Sequence, residues 1–307
     1  MPILVRDPWR EQYFEAVPCP AACVVAIDDI DCWPMYPQHR WVYDRLKIAE
    51  TQGIVCGPHG IAPPSYPVFS KPIVNLQGMG LGSAVLHSPG DMAKHHAPGH
   101  FWMELLHGDH VSTDVAVEFG RAVWIRHATG EKAAAGMFNY WTVHAEENAQ
   151  LRSVLNRWIA HHLPDYSGLL NIETIGGKII EMHLRFADQW CDLYGSSWIE
   201  AVVGLYAHGS WTFNDAARMN GYSIPLFAAH GQELRHPPAA LQAAIRAMPG
   251  VSSLQITFFD DHRRQQQAMP PGGFRIALVN CTDLATGLAA RRMLATAYPE
   301  TDFLIAE

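Results

Sequence analysis

The residues best suited to chemistry lie in one stretch near the middle of the chain, Gly168-Leu-Leu-Asn-Ile-Glu-Thr-Ile-Gly-Gly-Lys-Ile-Ile-Glu-Met-His-Leu-Arg185. Gly176-Gly177 divides two runs rich in β-branched residues, a short-range signal for a β-hairpin. Side chains alternate faces along a strand, so Asn171 and Glu173 share one face of the first arm. Glu181, His183 and Arg185 share one face of the second, between Ile180, Met182 and Leu184. Where those polar faces coincide, oxygen and nitrogen ligands converge beside a guanidinium. Such a set suits a hard cation carrying phosphate oxygens, because Mg²⁺ is held by one or two carboxylates plus substrate phosphates. The plainer alternative is a half-exposed hairpin whose outer face is simply polar.

A second stretch has the makings of a phosphate cradle. Tyr66–Pro72 reads as an apolar strand that ends in Lys71, and it leads into Asn75-Leu-Gln-Gly-Met-Gly-Leu-Gly-Ser83. Glycines at 78, 80 and 82 let backbone N–H groups approach phosphates, and a lysine on the adjacent strand adds a positive charge. The spacing is neither the P-loop nor the dinucleotide fingerprint. A flexible hairpin turn would have the same composition.

The chain as a whole is that of a globular protein: 307 residues, 49% apolar and 17% charged. A formal net charge of −8 argues against sequence-independent binding of nucleic acid, which needs clustered Lys and Arg. Seventeen histidines make the charge sensitive to pH below about 6.5. The six cysteines form no Cys-x-x-Cys pair and no zinc-like spacing, as in reduced cytosolic proteins. The N-terminus has no apolar signal core, and no run approaches the ~18 apolar residues of a membrane span. A soluble cytoplasmic protein is expected, with small-molecule partners and no nucleic acid or membrane; a homo-oligomer stays open.

These stretches need elements to position them. Cys23–Asp29 reads as a strand ending in acids and Trp33–Pro37 as an irregular turn. Gln38–Gln52 has helical spacing, with Trp41, Val42, Arg45, Leu46 and Ala49 on one side and Gly53 as its stop. Phe101–Leu106, Val111–Phe119 and Ala122–His127 predict three sequential antiparallel strands. Glu146–His162 predicts an amphipathic helix ahead of the hairpin, and a further helix is expected over 197–207. After residue 221, strand and helix patterns alternate as βαββαβ, which suggests a small α+β lobe.

This order, a helix, the Lys71 strand, a glycine-rich loop, Met103-Glu104-Leu105-Leu106-x-Gly108-x-His110, antiparallel strands, a helix, then Glu181-x-His183-x-Arg185, resembles the ATP-grasp superfamily over about residues 38–206. The resemblance implies an α+β fold in which two α+β subdomains clamp ATP. The corresponding divisions here are an abbreviated N-terminal segment 1–38, a first subdomain 39–100, a second subdomain 101–212 and a C-terminal lobe 213–307. It also implies roles. Lys71 matches the phosphate- and adenine-contacting lysine, and Gly78, Gly80, Gly82 and Ser83 match the loop over the triphosphate. Glu104 and Leu106 match the adenine hinge, and His110 stands where the ribose hydroxyls are held. Glu181 matches the Mg²⁺-bridging glutamate of the Glu-x-Asn-x-Arg motif, and Arg185 the arginine that steadies the transferred phosphate or acyl substrate.

The departures from that pattern are as informative. His183 replaces the motif's asparagine. Counting back across the Gly-Gly turn puts Asn171 at the partner position on the first arm, with Glu173 two residues nearer the turn. The upstream phosphate-contacting cation is expected at Arg40 or, less well placed, Lys47. The N-terminal region is short, so substrate recognition falls to residues 1–38, the 128–145 connection and the last lobe. The implied activity is a Mg-ATP-dependent ligase that activates a carboxylate as acylphosphate for attack by an amine or thiol, with ATP and Mg²⁺ as cofactors. The alternatives are a catalytically inactive binding or structural relative and an ATP-dependent phosphotransferase.

Overall fold

Fourteen short strands and seven α-helices alternate along the described part of the chain. The computed structural model describes residues 3–4, 7–21, 23–133, 136–261 and 269–304. Near the N-terminus, β1 (Ile3–Leu4) and β2 (Val25–Ala26) form a short parallel pair, and α1 spans Asp29–Met35. Trp33–Pro37, expected as an irregular turn, therefore begins inside a helix; Pro34 falls in its last turn.

The helix expected over Gln38–Gln52 is broken in two. Arg40–Tyr43 forms a 3₁₀ turn, and α2 covers only Arg45–Glu50. The break is at Asp44, whose extended backbone lets its carboxylate cap the Lys47 N–H at 2.9 Å. The apolar stripe that predicted one helix is shared by two short ones.

Two antiparallel sheets follow. β3 (Cys56–Pro58), β4 (Val68–Pro72), β5 (Ala84–Leu86) and β6 (His100–Glu104) make a four-stranded sheet in the order β3-β6-β4-β5. β7 (His110–Glu118), β8 (Arg121–Lys132), β9 (Phe138–Val143), β10 (Gly168–Ile175) and β11 (Lys178–His183) belong to the larger sheet. The three sequential strands expected from 101 to 127 are thus split: β6 pairs with β3 and β4, and residues 105–109 cross between sheets. The hairpin forms as expected and pairs through β10 with β7. Helix α4 (Ala149–His162) starts at the Asn148 cap, and α5 covers Trp198–His208.

The C-terminal segment has a hydrophobic core built from its own residues, and its strands join the same large sheet. β12 (Gly221–Ala228) pairs with β9, and β13 (Val251–Ile256) and β14 (Phe274–Cys281) extend the order to β11-β10-β7-β8-β9-β12-β14-β13. α6 (Ala239–Arg246) and α7 (Leu284–Ala295) cover one face of these strands through Ile245, Leu294 and Ala290. The edge strand expected at Phe303 is a single bridge to Ala228.

The two faces of the large sheet are buried differently. α4 and the α1–α2 segment pack Leu155, Trp158, Ile159, Val42 and Ile48 against Val115, Ile125, Leu170 and Ile172. The opposite face carries Ala116 and Leu169 in phase with Asp114 and Asn171, covered by Phe14, Phe186, Trp190 and Trp198. Each such large apolar side chain contributes roughly 1.5–3 kcal/mol on burial. The polar half of this second face is left for the site.

The hairpin turn is locked to the crossing segment. Gly176 has φ +56, and a Cβ there would lie 2.3 Å from the His107 carbonyl oxygen. Its N–H donates to Asp109 O at 3.2 Å. Gly176→Ala should cost about 1–3 kcal/mol by denaturant unfolding. Gly177→Asn, at a position with open space around its Cβ, should cost below about 1 kcal/mol.

Candidate active site

Two carboxylates face each other across the hairpin. Glu173 is the cross-strand partner of Glu181, and Asn171 is that of His183. The pairing depends on a β-bulge: Thr174 pairs with Ile179, so Ile180 is an extra residue and Glu181 comes into line with Glu173. A regular ladder continued from Ile175↔Lys178 would set Glu181 opposite Ile172, and the count that gave Asn171 the partner position does not hold. The register makes Glu173 the partner acid.

Each acid has a nitrogen partner. His110 Nε2 lies 3.0 Å from Glu173 Oε2, its ring edge-on to Phe138 and Trp141. Burial pushes the Glu173 carboxyl up, but His110, His183 and Arg185 outweigh it and hold the group at about 2. Arg45, buried on α2, forms an ion pair with Glu181 and donates to the Asn75 carbonyl at 3.3 Å.

Behind the carboxylates lies a buried polar layer. Asp29, 5% exposed, accepts from His183 Nδ1 at 2.8 Å, Arg185 Nη2 at 3.1 Å and the Tyr43 hydroxyl at 3.2 Å. Burial opposes its charge, yet Arg185 and His183 hold the carboxyl well below the usual range. Burial also opposes the Arg185 charge, and Asp29 and Asp188 overcome this and raise its pKa. With Nδ1 committed to Asp29, His183 turns Nε2 toward Glu181 Oε1 at 3.6 Å. Asn171 is equally fixed: its amide donates to Asp114 Oδ1 at 2.7 Å and Ser112 Oγ at 2.8 Å. Burial raises the Asp114 carboxyl to about 6, against hydrogen bonds from Tyr194, Ala187 and Asn171.

Lys71 enters from the small sheet. It is 5% exposed, and its ammonium donates to the carbonyl of the bulged Ile180 at 2.7 Å. Burial lowers its pKa to about 8, partly offset by Glu181. The loop after β4 holds Gly78, Met79, Gly80 and Gly82 at φ +66, +61, +66 and +74, and Ser83 N–H donates to Gly80 O at 3.2 Å. Glu104 is exposed, with its N–H on Val55 O at 2.8 Å, while Leu106 and Ile180 both pack against the cluster of Ala49, Ile54, Phe101 and Met103. A groove of about 530 Å³ opens beside His110, lined also by Asp109, Thr129, Lys132, Tyr140 and His144.

The upstream cation is not where the sequence placed it. Arg40 is exposed and stacks over the Trp33 ring at 5.2 Å. Lys47 is exposed and pairs with Glu50 at 3.4 Å. Arg45 reaches the acid, because Asp44 restarts the helix there. Sequence reasoning also missed Asp29 and Asp114. The signal for Arg45 was an arginine inside an apolar stripe.

The donor set has a definite chemistry. Among the described residues no three His, Cys, Asp or Glu side chains already form a metal cage. Two opposed carboxylates with a lysine alongside fit a Mg²⁺ that takes its other ligands from phosphate and water.

Comparison with solved structures decides the fold. An L-amino acid ligase from Bacillus licheniformis superimposes with a TM-score of 0.60 at 11% identity, covering 97% of this chain and 84% of that one. Phosphoribosylamine–glycine ligase from Thermotoga maritima gives 0.59 at 15% identity, covering 96% and 88%. The biotin carboxylase domain of Hydrogenobacter thermophilus 2-oxoglutarate carboxylase, bound to MgADP, ADP and bicarbonate, gives 0.53 at 11%, covering 88% and 68%. The chain has the ATP-grasp fold. No family model and no curated protein sequence matches it. In this fold the two sheets meet at β11, where Lys71 and Arg45 come together with Ile180 and Glu181.

Asp29 ties the N-terminal segment to this site, which makes its charge a stability probe. Its folded pKa lies below the unfolded value, so its contribution is present above about pH 4 and is lost as pH falls toward the folded value. Asp29→Asn should cost about 3 kcal/mol at neutral pH and flatten the acid limb of a stability–pH curve.

Proposed function

We propose that the protein is a Mg-ATP-dependent ligase. It transfers the γ-phosphoryl group of ATP to a small-molecule or peptide carboxylate, giving an acylphosphate and ADP; an amine or thiol then attacks the acyl carbon and phosphate leaves. The observation that carries this reading is the opposed Glu173–Glu181 pair next to a buried lysine that donates to a backbone carbonyl. Phosphoryl transfer needs charge around the phosphoryl oxygens more than a protein nucleophile. The names of the structures that share the fold agree: an L-amino acid ligase, a phosphoribosylamine–glycine ligase, and a carboxylase holding MgADP and bicarbonate.

The residues divide the work by position. Glu173 and Glu181 would hold Mg²⁺, which neutralises charge between the phosphates, with His183 Nε2 at their side. Lys71 and Arg45 supply positive charge toward the phosphate oxygens, under the N–H groups of the 78–83 loop. Leu106 and Ile180 offer apolar surface to the adenine at the Glu104 hinge, and His110 faces the ribose. Arg185, held in place by Asp29, meets the carboxylate and the phosphoryl group it receives. Asn171 takes a supporting place beneath this set, its amide spent on Asp114 and Ser112. No described helix is long and apolar enough to cross a membrane, which accords with a soluble, cytoplasmic enzyme.

One observation favours a second reading, a protein that binds nucleotide without turnover: Arg45 already pairs with the proposed metal carboxylate Glu181. A ligase binds ATP more tightly with Mg²⁺ and releases ADP with a suitable acid. An inactive relative shows neither property, and a phosphotransferase stops at the phosphorylated acid, which product masses reveal.

Lys71→Ala and Glu181→Gln should each lower ADP release by about 10²–10³-fold. Turnover at the wild-type rate in both would sink the proposal. The lowered Lys71 pKa adds a pH signature. Phosphate needs the charged lysine, so ATP affinity should fall as pH rises through about 8, and Lys71→Arg should remove that step.

A further inference from the structure

The two acids proposed for the metal are held in different ways. Glu181 pairs with a guanidinium, that of Arg45. Glu173 meets an imidazole: His110 Nε2 lies 3.0 Å from its Oε2, and no other described side chain hydrogen-bonds this carboxylate. A carboxylate can only accept, so Nε2 carries the hydrogen and donates it, and Nδ1 keeps a lone pair. The contact is a diagonal one on a single sheet face. Glu173 stands opposite Ser112 on β7, and His110 stands opposite Ile175, two residues along.

The imidazole is backed by an aromatic wall. Its ring lies edge-on to Phe138 at 5.4 Å and to Trp141 at 5.6 Å, and those two rings meet each other at 4.3 Å. The wall depends on residue 130 being glycine. Gly130 is the cross-strand partner of Trp141, and a Cβ there would lie 2.4 Å from Phe138 Cδ1 and 3.2 Å from Trp141 Cη2. Its φ lies outside the left-handed region, so what it supplies is space. A strand glycine of this kind marks a close approach of other groups to the backbone. Here the groups are the two rings that stand behind His110.

A fixed donor has a particular use at a metal ligand. Carboxylates that bind cations are themselves hydrogen-bonded, and the partner sets which oxygen the cation meets. We propose that His110 is a positioning residue for the metal: backed by Phe138 and Trp141, it engages Oε2 of Glu173 and leaves Oε1 for Mg²⁺. Nδ1 is then the one ring atom left for a ribose hydroxyl. This rests on the ligase reading for Glu173 as a metal ligand.

The test needs no acid substrate. It measures ATP binding by calorimetry across a Mg²⁺ series, ADP binding without metal, and the imidazole nitrogens of the metal-free protein by NMR at neutral to alkaline pH. In the wild type the His110 proton should sit on Nε2. His110→Ala should raise the Mg²⁺ concentration for half-maximal ATP binding by about 10–100-fold, the range for partners of metal ligands. His110→Gln, whose amide nitrogen reaches the place of Nε2, should restore most of that loss, and the shorter His110→Asn should not. Should His110→Ala fail to fold, the Gln and Asn variants carry the comparison. A role at the ribose alone gives a different pattern: metal-free ADP binding weakens in all three variants, and the Mg²⁺ requirement stays where it was. That pattern, or a proton on Nδ1 in place of Nε2, overturns the positioning role and leaves the ligase reading standing. Wild-type ATP binding that ignores Mg²⁺ removes the ligase reading, and the positioning role with it.

Discussion

The opposition of Glu173 and Glu181 rests on one extra residue in β11. With Ile180 bulged out of register, two carboxylates of adjacent strands stand side by side on the same face. The bulge also frees the Ile180 carbonyl from the ladder and offers it to Lys71. A strand's side chains alternate with period two, so pairing Ile180 regularly with Glu173 would set Glu181 opposite Ile172 and on the other face from Glu173. The site thus depends on a backbone irregularity more than on any single side chain.

That arrangement brings charge into the interior, and the interior is built to tolerate it. Asp29 satisfies three donors at once, so His183 and Arg185 each arrive oriented by the same carboxylate. Asp114 does the same for Asn171, the Tyr194 hydroxyl and the Ala187 amide. Buried polar groups of this kind hold geometry only when each has a partner. Residues ahead of the hairpin supply Asp29 and Arg10 to the layer under it. They take part in the site itself.

Much of this was legible in the residues. The alternation in Gly168–Arg185 gave the hairpin and the shared face of its polar groups, and the Lys71 strand and glycine-rich loop fell where the ATP-grasp order expects them. The partner acid was not decided, because a bulge leaves no mark on hydrophobic alternation and the count that gave Asn171 does not hold. Arg45 was in plain view as a charged member of an apolar stripe, but a stripe is read for burial and not for charge. Long-range pairing was the least visible level: nothing local says that β6 leaves its sequence neighbours for another sheet, or that β12 docks on β9.

Among the described residues the two sheets share no ladder hydrogen bonds. What spans them at the open edge of β11 is side-chain chemistry. The Gln52 amide exchanges two hydrogen bonds with the Ile179 backbone, at 2.8 and 2.7 Å, as a one-residue imitation of a neighbouring strand. Beside it, Lys71 and Arg45 hold polar atoms of the next two residues. On the proposed function, a polyphosphate that drew off Lys71 and Arg45 would release two of the contacts between the sheets and leave the Gln52 pair in place.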